Sequence, residues 1–399
     1  MLDGIDLLDL AHYESGPPHE LFARLRREAP VFRHTEKSGP GFWAVTRYDD
    51  VVAVSRDAAT YSSFQGGTMV PDVKPEELFV VRQMMLNMDP PQHTKLRALI
   101  NKGFTPRMVA QLHQRIGELA HAIVDRVAKQ GECDFVGDVA GELPSYVIAE
   151  LMGIPLDDGR ELYRLTERMH TATPTPEGAA DATQAILAMM SYSSGIRTEK
   201  RARPANDIAS TLLAAEVDGE KLTDLEFDMF FILLINAGGD TTRNLVAGGM
   251  LELIAHPEQR ARLRADPSLL PAAIEEMLRW TTPVVHFRRT ATRDTELHGQ
   301  KIAAGDKVVV FYGSANRDET AFPDADRFDV ARSPNEHVAF GGGGVHFCLG
   351  ANLARVEIRA MFAEVLSRLP DLELAGPVER LRSNFINGPR RMPVRFSAR

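Results

Sequence analysis

The residues best equipped for chemistry lie in Phe340-Gly341-Gly342-Gly343-Gly344-Val345-His346-Phe347-Cys348-Leu349-Gly350. Four consecutive glycines fill no core. Glycine costs backbone entropy in any regular element, so the run marks chain that bends sharply or approaches something closely. Downstream, Ile358, Met361, Phe362, Val365, Leu366 and Leu369 recur at helical spacing until Pro370, which sets Cys348 at or just before a helix N-terminus. Free N–H groups and the helix dipole favour a thiolate there. Three chemistries compete: a buried structural thiol, a nucleophile served by a histidine such as His346, and an axial thiolate on haem iron. The first leaves the glycines unexplained. The run also lacks the Gly-Lys-Ser/Thr ending of a phosphate-binding loop. The other cysteine, Cys133, reads as a bystander, and two thiols are too few for an iron–sulfur cluster, which takes about four.

A second candidate is Ala237-Gly238-Gly239-Asp240-Thr241-Thr242. Thr223-Asp224-Leu225-Glu226 is a capping box, and the helix it opens runs to about Ala255 before His256-Pro257. Phe230 to Ile235 is apolar all round, so this helix is buried. Two glycines, an acid and two threonines are poor choices for a buried helix interior, and such a broken local rule points to function or strain. Small residues let a flat group approach the backbone, and a threonine hydroxyl can bond to the carbonyl four residues back. A plain helix-packing groove explains Gly238 and Gly239 but not Asp240. Two weaker pairs remain. His93 and Arg97 share one face of a helix capped by Asp89. Glu276 and Arg279 stand three apart on an Ala272–Trp280 helix, a pairing common on exposed helices.

The elements that must carry these residues are mostly helical. Helices are predicted over 18–29, from the Thr105 cap past Val109 and Leu112 to Val127, and over 141–152, 157–170, about 176–202 and 207–216. Strands are expected at Val31-Phe32, Phe42–Val45, Val284–Arg289 and Lys307–Tyr312. Residues 61–80 read as a long functional loop, and 1–17 as an N-terminal tail. The chain has 399 residues, 44% hydrophobic and 25% charged, with no linker or repeat, so residues 1–399 read as a single domain. The net charge of −9 argues against nucleic-acid binding. The N-terminus has no basic-then-apolar leader, and no stretch has the length of a membrane span, so a cytoplasmic protein without an anchor is expected.

The cysteine loop resembles the haem-ligand loop of the cytochrome P450 family. Gly344, His346, Cys348 and Gly350 match in place. Phe340 lies eight residues before Cys348, one more than the common spacing, and some actinobacterial members that oxidise sterols and methyl-branched lipids carry a similar longer loop. Three further signals agree in order: His93/Arg97, Asp240-Thr241 and Glu276/Arg279. The resemblance implies a single-domain, mainly α fold with a small β portion. It implies haem b on Cys348, with His93, Arg97, Arg289, His346 and Gly350 holding the cofactor; Arg288 is the neighbour on the opposite strand face. It gives Thr241 and Asp240 the oxygen-activating and proton-relaying roles, and Glu276, Arg279 and Phe340 structural ones. Leu233, Leu234, Ala237, Val284, Val285 and Phe287 would wall the substrate pocket, and the 384–388 turn could reach it.

The function implied is monooxygenation of a hydrophobic small molecule (a terpenoid, steroid or branched lipid) with O₂, by a monomer. Electrons come from NAD(P)H through ferredoxin and ferredoxin reductase, an acidic partner docking near Arg355 and Arg359. The alternatives are a peroxide-using peroxygenase, a haem sensor without catalysis, and a cysteine hydrolase.

Overall fold

A computed structural model describes residues 4–103, 106–170, 176–217 and 219–398. The fold is built around the Asp224–Ala255 helix, the central helix below. Its capping box forms as read: the Thr223 hydroxyl accepts from the Glu226 N–H, and the Glu226 carboxylate accepts from the Thr223 N–H. Because its sequence is apolar on every side, it is wrapped on every side. The Glu142–Met152, Leu156–His170, Pro176–Ala202, Leu270–Thr281 and Ala351–Arg368 helices all pack against it. The Pro106–Ala128 helix buries Leu112, Ile116, Leu119, Ile123 and Val127 against the Ala351–Arg368 helix, the cysteine helix below. The predicted Thr105 cap lies outside the described residues.

Helical bounds follow the sequence closely, with helices at His19–Glu28, Glu142–Met152, Leu156–His170, Pro176–Ala202 and Ile208–Ala214. The segment 61–80 is not one loop. It holds a short strand, Tyr61–Ser62, and a Pro75–Val81 helix that buries none of its residues. Nor is the N-terminal segment loose. Leu7 and Tyr13 are buried, the Leu7 N–H donates to His34 Nε2, and the Tyr13 hydroxyl donates to the Leu7 carbonyl.

The β portion is a five-stranded sheet in the spatial order Val31–His34, Phe42–Val45, Lys307–Phe311, His286–Ala291, Tyr61–Ser62. The Phe42 and Lys307 strands run parallel, with Ala44 opposite Val309. The Lys307 and His286 strands run antiparallel, with Val309 opposite Arg288. Adjacent strand residues point to opposite faces. Phe287 and Arg289 therefore face inward toward the helices, while Arg288 faces outward and donates to the Val70 carbonyl and Asp72. Among the described residues, no helix is long and apolar enough to cross a membrane.

Candidate functional site

The glycine loop lies against the Tyr48–Arg56 helix. A Cβ on Gly344, whose φ is +73°, would sit 2.4 Å from the Ser55 carbonyl oxygen. Close approach and left-handed backbone together leave only glycine there. The loop closes through the Cys348 N–H, which donates to the Phe340 carbonyl at 3.0 Å. The cysteine helix begins at Ala351 with Gly350 as its N-cap. The extra residue relative to the common spacing is thus taken up inside the loop, and Phe340 still packs beside Cys348, its ring under the Arg355 guanidinium at 4.6 Å.

Cys348 faces a large, mainly apolar cavity. Leu233, Leu234, Ala237, Gly238 and Thr241 of the central helix line it, with Val284, Phe287, Phe340 and Leu353. Burial pushes the Cys348 thiol upward, against the Gly350 N–H and the Arg97 and Arg355 guanidiniums, which pull it down.

On the same cavity wall stand His93, Arg97, Arg289 and His346. Arg97 donates to the Val345 carbonyl at 2.9 Å, the rings of His93 and His346 lie 4.4 Å apart, and His346 Nε2 is 3.1 Å from the Ser63 hydroxyl. Burial, then Arg97, holds His93 down at about 4. Burial, then Arg289, His93 and Arg97, holds His346 down at about 2. His93 Nδ1 is buried without a hydrogen-bond partner. Two guanidiniums, Arg97 and Arg289, beside two neutral imidazoles on an otherwise apolar cavity wall suit an anionic ligand.

The central helix behaves as its sequence implies. The Thr241 hydroxyl donates to the Ala237 carbonyl at 2.9 Å. A Cβ on Gly238 would meet Ile148 at 3.1 Å. Asp240, one residue or about 100° round the helix from Thr241, does not line the cavity. It is buried on another face, with its Oδ1 2.8 Å from Arg243, which also donates to Glu167 at 3.1 Å.

Val285 departs from the expected wall. It is fully buried behind the sheet in a cluster with Phe22, Val309 and Phe311, because neighbouring residues of extended chain face opposite sides and Val284 takes the cavity side. The 384–388 turn touches the wall's back: Ile386 bridges Val284, and Phe385 meets Phe287 edge to face with ring centroids 5.6 Å apart. Arg355 is not free for docking; Glu275 holds it at 2.7 Å, while Arg359 is exposed. Glu276 and Arg279 are both fully buried. Arg279 makes two 2.8 Å bonds to Glu276 and donates to the Asn316, Ala325 and Arg327 carbonyls.

Sequence reasoning missed several residues of the wall, among them Met85, Ile148, Tyr312, Leu353 and the acid Glu357. The signal for Glu357 was available: it sits four residues before Met361 and beside Ile358, inside the apolar stripe of the cysteine helix.

The donor set tests the fit of a metal group. Among the described residues, no three of His, Cys, Asp and Glu come together to hold a bare metal ion. A lone thiol on an apolar wall instead suits a metal that brings its other ligands with it, and the cationic side suits anionic arms on that ligand. Thiolate-ligated haem has both properties.

The comparisons agree with this architecture. The chain belongs to the cytochrome P450 family, whose model matches residues 178–375. It is 41% identical over 409 residues to a steroid C26-monooxygenase of Mycobacterium tuberculosis, covering 99% of this chain and 93% of the relative. A methyl-branched lipid omega-hydroxylase from the same species is 42% identical over 389 residues, covering 94% and 90%. The solved structure of Mycobacterium marinum cytochrome P450 CYP268A2 in complex with pseudoionone superposes with a TM-score of 0.92 at 42% identity, covering 99% of each chain. The protein is accordingly a monooxygenase with haem b as cofactor, using O₂ and NAD(P)H-derived electrons.

Proposed function

We propose that this enzyme hydroxylates an unactivated C–H bond of a terpenoid, steroid or methyl-branched lipid, with haem iron on Cys348 and electrons delivered by a ferredoxin and its reductase. The observation that carries the reading is a single thiol facing an apolar cavity with His93, Arg97, Arg289 and His346 on its wall. The relatives named for steroids and branched lipids support the substrate class.

When bound, the haem supplies oxygen activation. The chain's residues do the rest. Arg97, Arg289 and His93 hold the propionates, with His346 alongside. The Gly350 N–H steadies the sulfur. Leu233, Leu234, Ala237, Val284 and Phe287 exclude water and grip an apolar skeleton by shape. Because Thr241 commits its own proton to the Ala237 carbonyl, its oxygen keeps lone pairs to accept a hydrogen bond in the cavity. Asp240 relays protons to it from the Arg243 side.

The absorption spectrum of the reduced protein under carbon monoxide tests the ligand. A strongly red-shifted Soret band is expected, and a histidine-type spectrum or no haem would sink the assignment. A spin-state shift on titration with steroids, terpenes or branched fatty acids then ranks the substrates. Thr241→Ala should leave reduction intact and lose most coupling of NADH to product; full coupling would sink the proton-relay role, and product formed from hydrogen peroxide without NADH would favour the peroxygenase alternative.

A further inference from the structure

The positive charge of the cavity wall is gathered in one place. Arg97 bonds to Val345, the residue before His346, whose ring meets His93. The Arg97 and Arg289 charges act on both imidazoles, which burial keeps neutral. The wall therefore carries two positive charges, one on each guanidinium. Haem b carries two propionate carboxylates, so the cofactor uses both.

No third cation waits for a substrate. Among the described residues lining the cavity, no other Lys, Arg or His occurs. Away from the cysteine the lining is hydrocarbon, as at Met85, Leu86, Ile148, Ile208, Phe230 and Leu234. The Thr241 and Thr242 hydroxyls carry no charge, and the ionisable Tyr312 and Glu357 are not cations. The segment leading to Met85 has its own cations engaged. Arg82 lies over the Phe64 ring and donates to the Phe64 and Gln65 carbonyls, while Lys74 faces Glu77. Asp72, Glu76 and Glu77 leave that segment acidic. The five residues between His170 and Pro176 are uncharged in sequence. An ionised carboxylate entering such a cavity gives up its hydration and meets no counter-charge, a penalty that an alcohol, ketone or ester largely escapes.

We propose that this cavity selects uncharged lipids, a terpenoid, steroid or branched chain ending in an alcohol, ketone or ester, against the matching free carboxylates, and that Leu86 is the rim position where this selection is set. The inference rests on the monooxygenase reading above and narrows its substrate class. Leu86 stands on the short Met85–Asn87 turn and lines the cavity, but it is half-buried where Met85 beside it is buried. It thus meets both the cavity and water. A long cationic side chain there can lay its stem on the apolar wall and keep its head wet.

The test is binding to the haem-loaded enzyme, read by the spin-state shift and by equilibrium dialysis. The probes are isopalmitic acid, its methyl ester and the corresponding alcohol. In weakly alkaline buffer the ester and alcohol should bind at least ~100-fold tighter than the acid. The acid should gain about tenfold for each unit the pH is lowered toward neutral and just below, because only its protonated fraction enters. Leu86→Arg should tighten the acid at least ~10-fold and leave the ester no tighter, while the uncharged Leu86→Gln should not tighten the acid. Equal affinity for acid and ester, or acid binding independent of pH, overturns the selection. An acid bound no tighter by Leu86→Arg, or equally tightened by Leu86→Gln, overturns the role of Leu86. If Leu86→Arg does not load haem, Leu86→Lys takes its place. Failure of the haem-thiolate reading shows separately, in the carbon-monoxide Soret band. A protein with the expected band that binds none of the three probes overturns the substrate class and this proposal with it.

Discussion

Replacing Arg279 by alanine separates two views of the Glu276/Arg279 pair. On an exposed helix such a pair is worth under about 1 kcal/mol. Here both side chains are fully buried, and Arg279 also serves three carbonyls of the 316–327 segment. Arg279→Ala leaves Glu276 with Arg332, Asn335 and the Asp329 N–H as donors and Arg327 with Arg332, but removes the Arg279 donor from the buried Asn316 and Ala325 carbonyls. Removing one member of a buried ion pair costs about 3–5 kcal/mol, against a typical total of about 5–15 kcal/mol. The variant should lose a large share of its stability in urea unfolding followed by circular dichroism. Haem should be released early, because the segment these bonds hold leads into the cysteine loop. Arg279→Lys keeps the charge but not the five-bond fork, and should fall between. A loss below about 1 kcal/mol for Arg279→Ala would refute the argument that this network holds the helix to the segment before the loop.

Three other outcomes follow from the geometry. Gly344→Ala meets the Ser55 carbonyl and a positive φ together, so haem occupancy after purification should drop sharply. Gly299→Ala carries only the φ cost of about 1 kcal/mol in open space and should keep its haem. Glu275 is held down at about 2, since its bonds from Arg355 and His337 outweigh its burial. Its stabilising contribution is complete above the unfolded carboxylate value of about 4.3 and is lost as pH falls toward 2, so Glu275→Gln should flatten the acid limb of a stability profile below about pH 4.3; an unchanged limb refutes this. Asp72 bonds both Arg288 and Lys307, so Asp72→Asn should speed hydrogen exchange across residues 64–74, and unaltered protection would show the segment is held by its apolar contacts alone.

Much of the fold was legible because local signals and burial agreed. The Thr223/Glu226 box, the Gly153 stop and the apolar stripe from Leu112 to Val127 each state in sequence what the structure repeats. The Thr241 back-bond was legible too, since it needs only helix geometry. What failed to show were directions and depths. An i, i+3 Glu/Arg pair reads the same on an exposed helix as at the centre of the protein, so the burial of Glu276 and Arg279 depends on chain fifty residues away. Asp240 and Thr241 are adjacent in sequence, yet the turn between them sends one to the cavity and the other to Arg243. Val284 and Val285 read alike as wall residues in sequence, yet extended neighbours diverge and only Val284 lines the cavity. The Pro75–Val81 helix was missed despite proline at its first position and Glu76 and Glu77 in its first turn, because with nothing buried it lacks an apolar stripe.

The hydrogen bond from Cys348 to the Phe340 carbonyl makes a short chord across a long arc. The chord fixes the sulfur relative to the helix behind it, and the arc, made of glycines that bend freely, absorbs whatever contour length it is given. Position and path length are therefore decoupled. The arc lies tight against the Tyr48–Arg56 helix, where a Cβ on Gly342 would sit 2.7 Å from the Ser55 hydroxyl, while the chord sets the sulfur. The tolerance has a one-sided limit. Adding flexible residues only enlarges the arc, whereas a single side chain at Gly344 blocks it against Ser55. The loop is thus permissive in number and strict in identity.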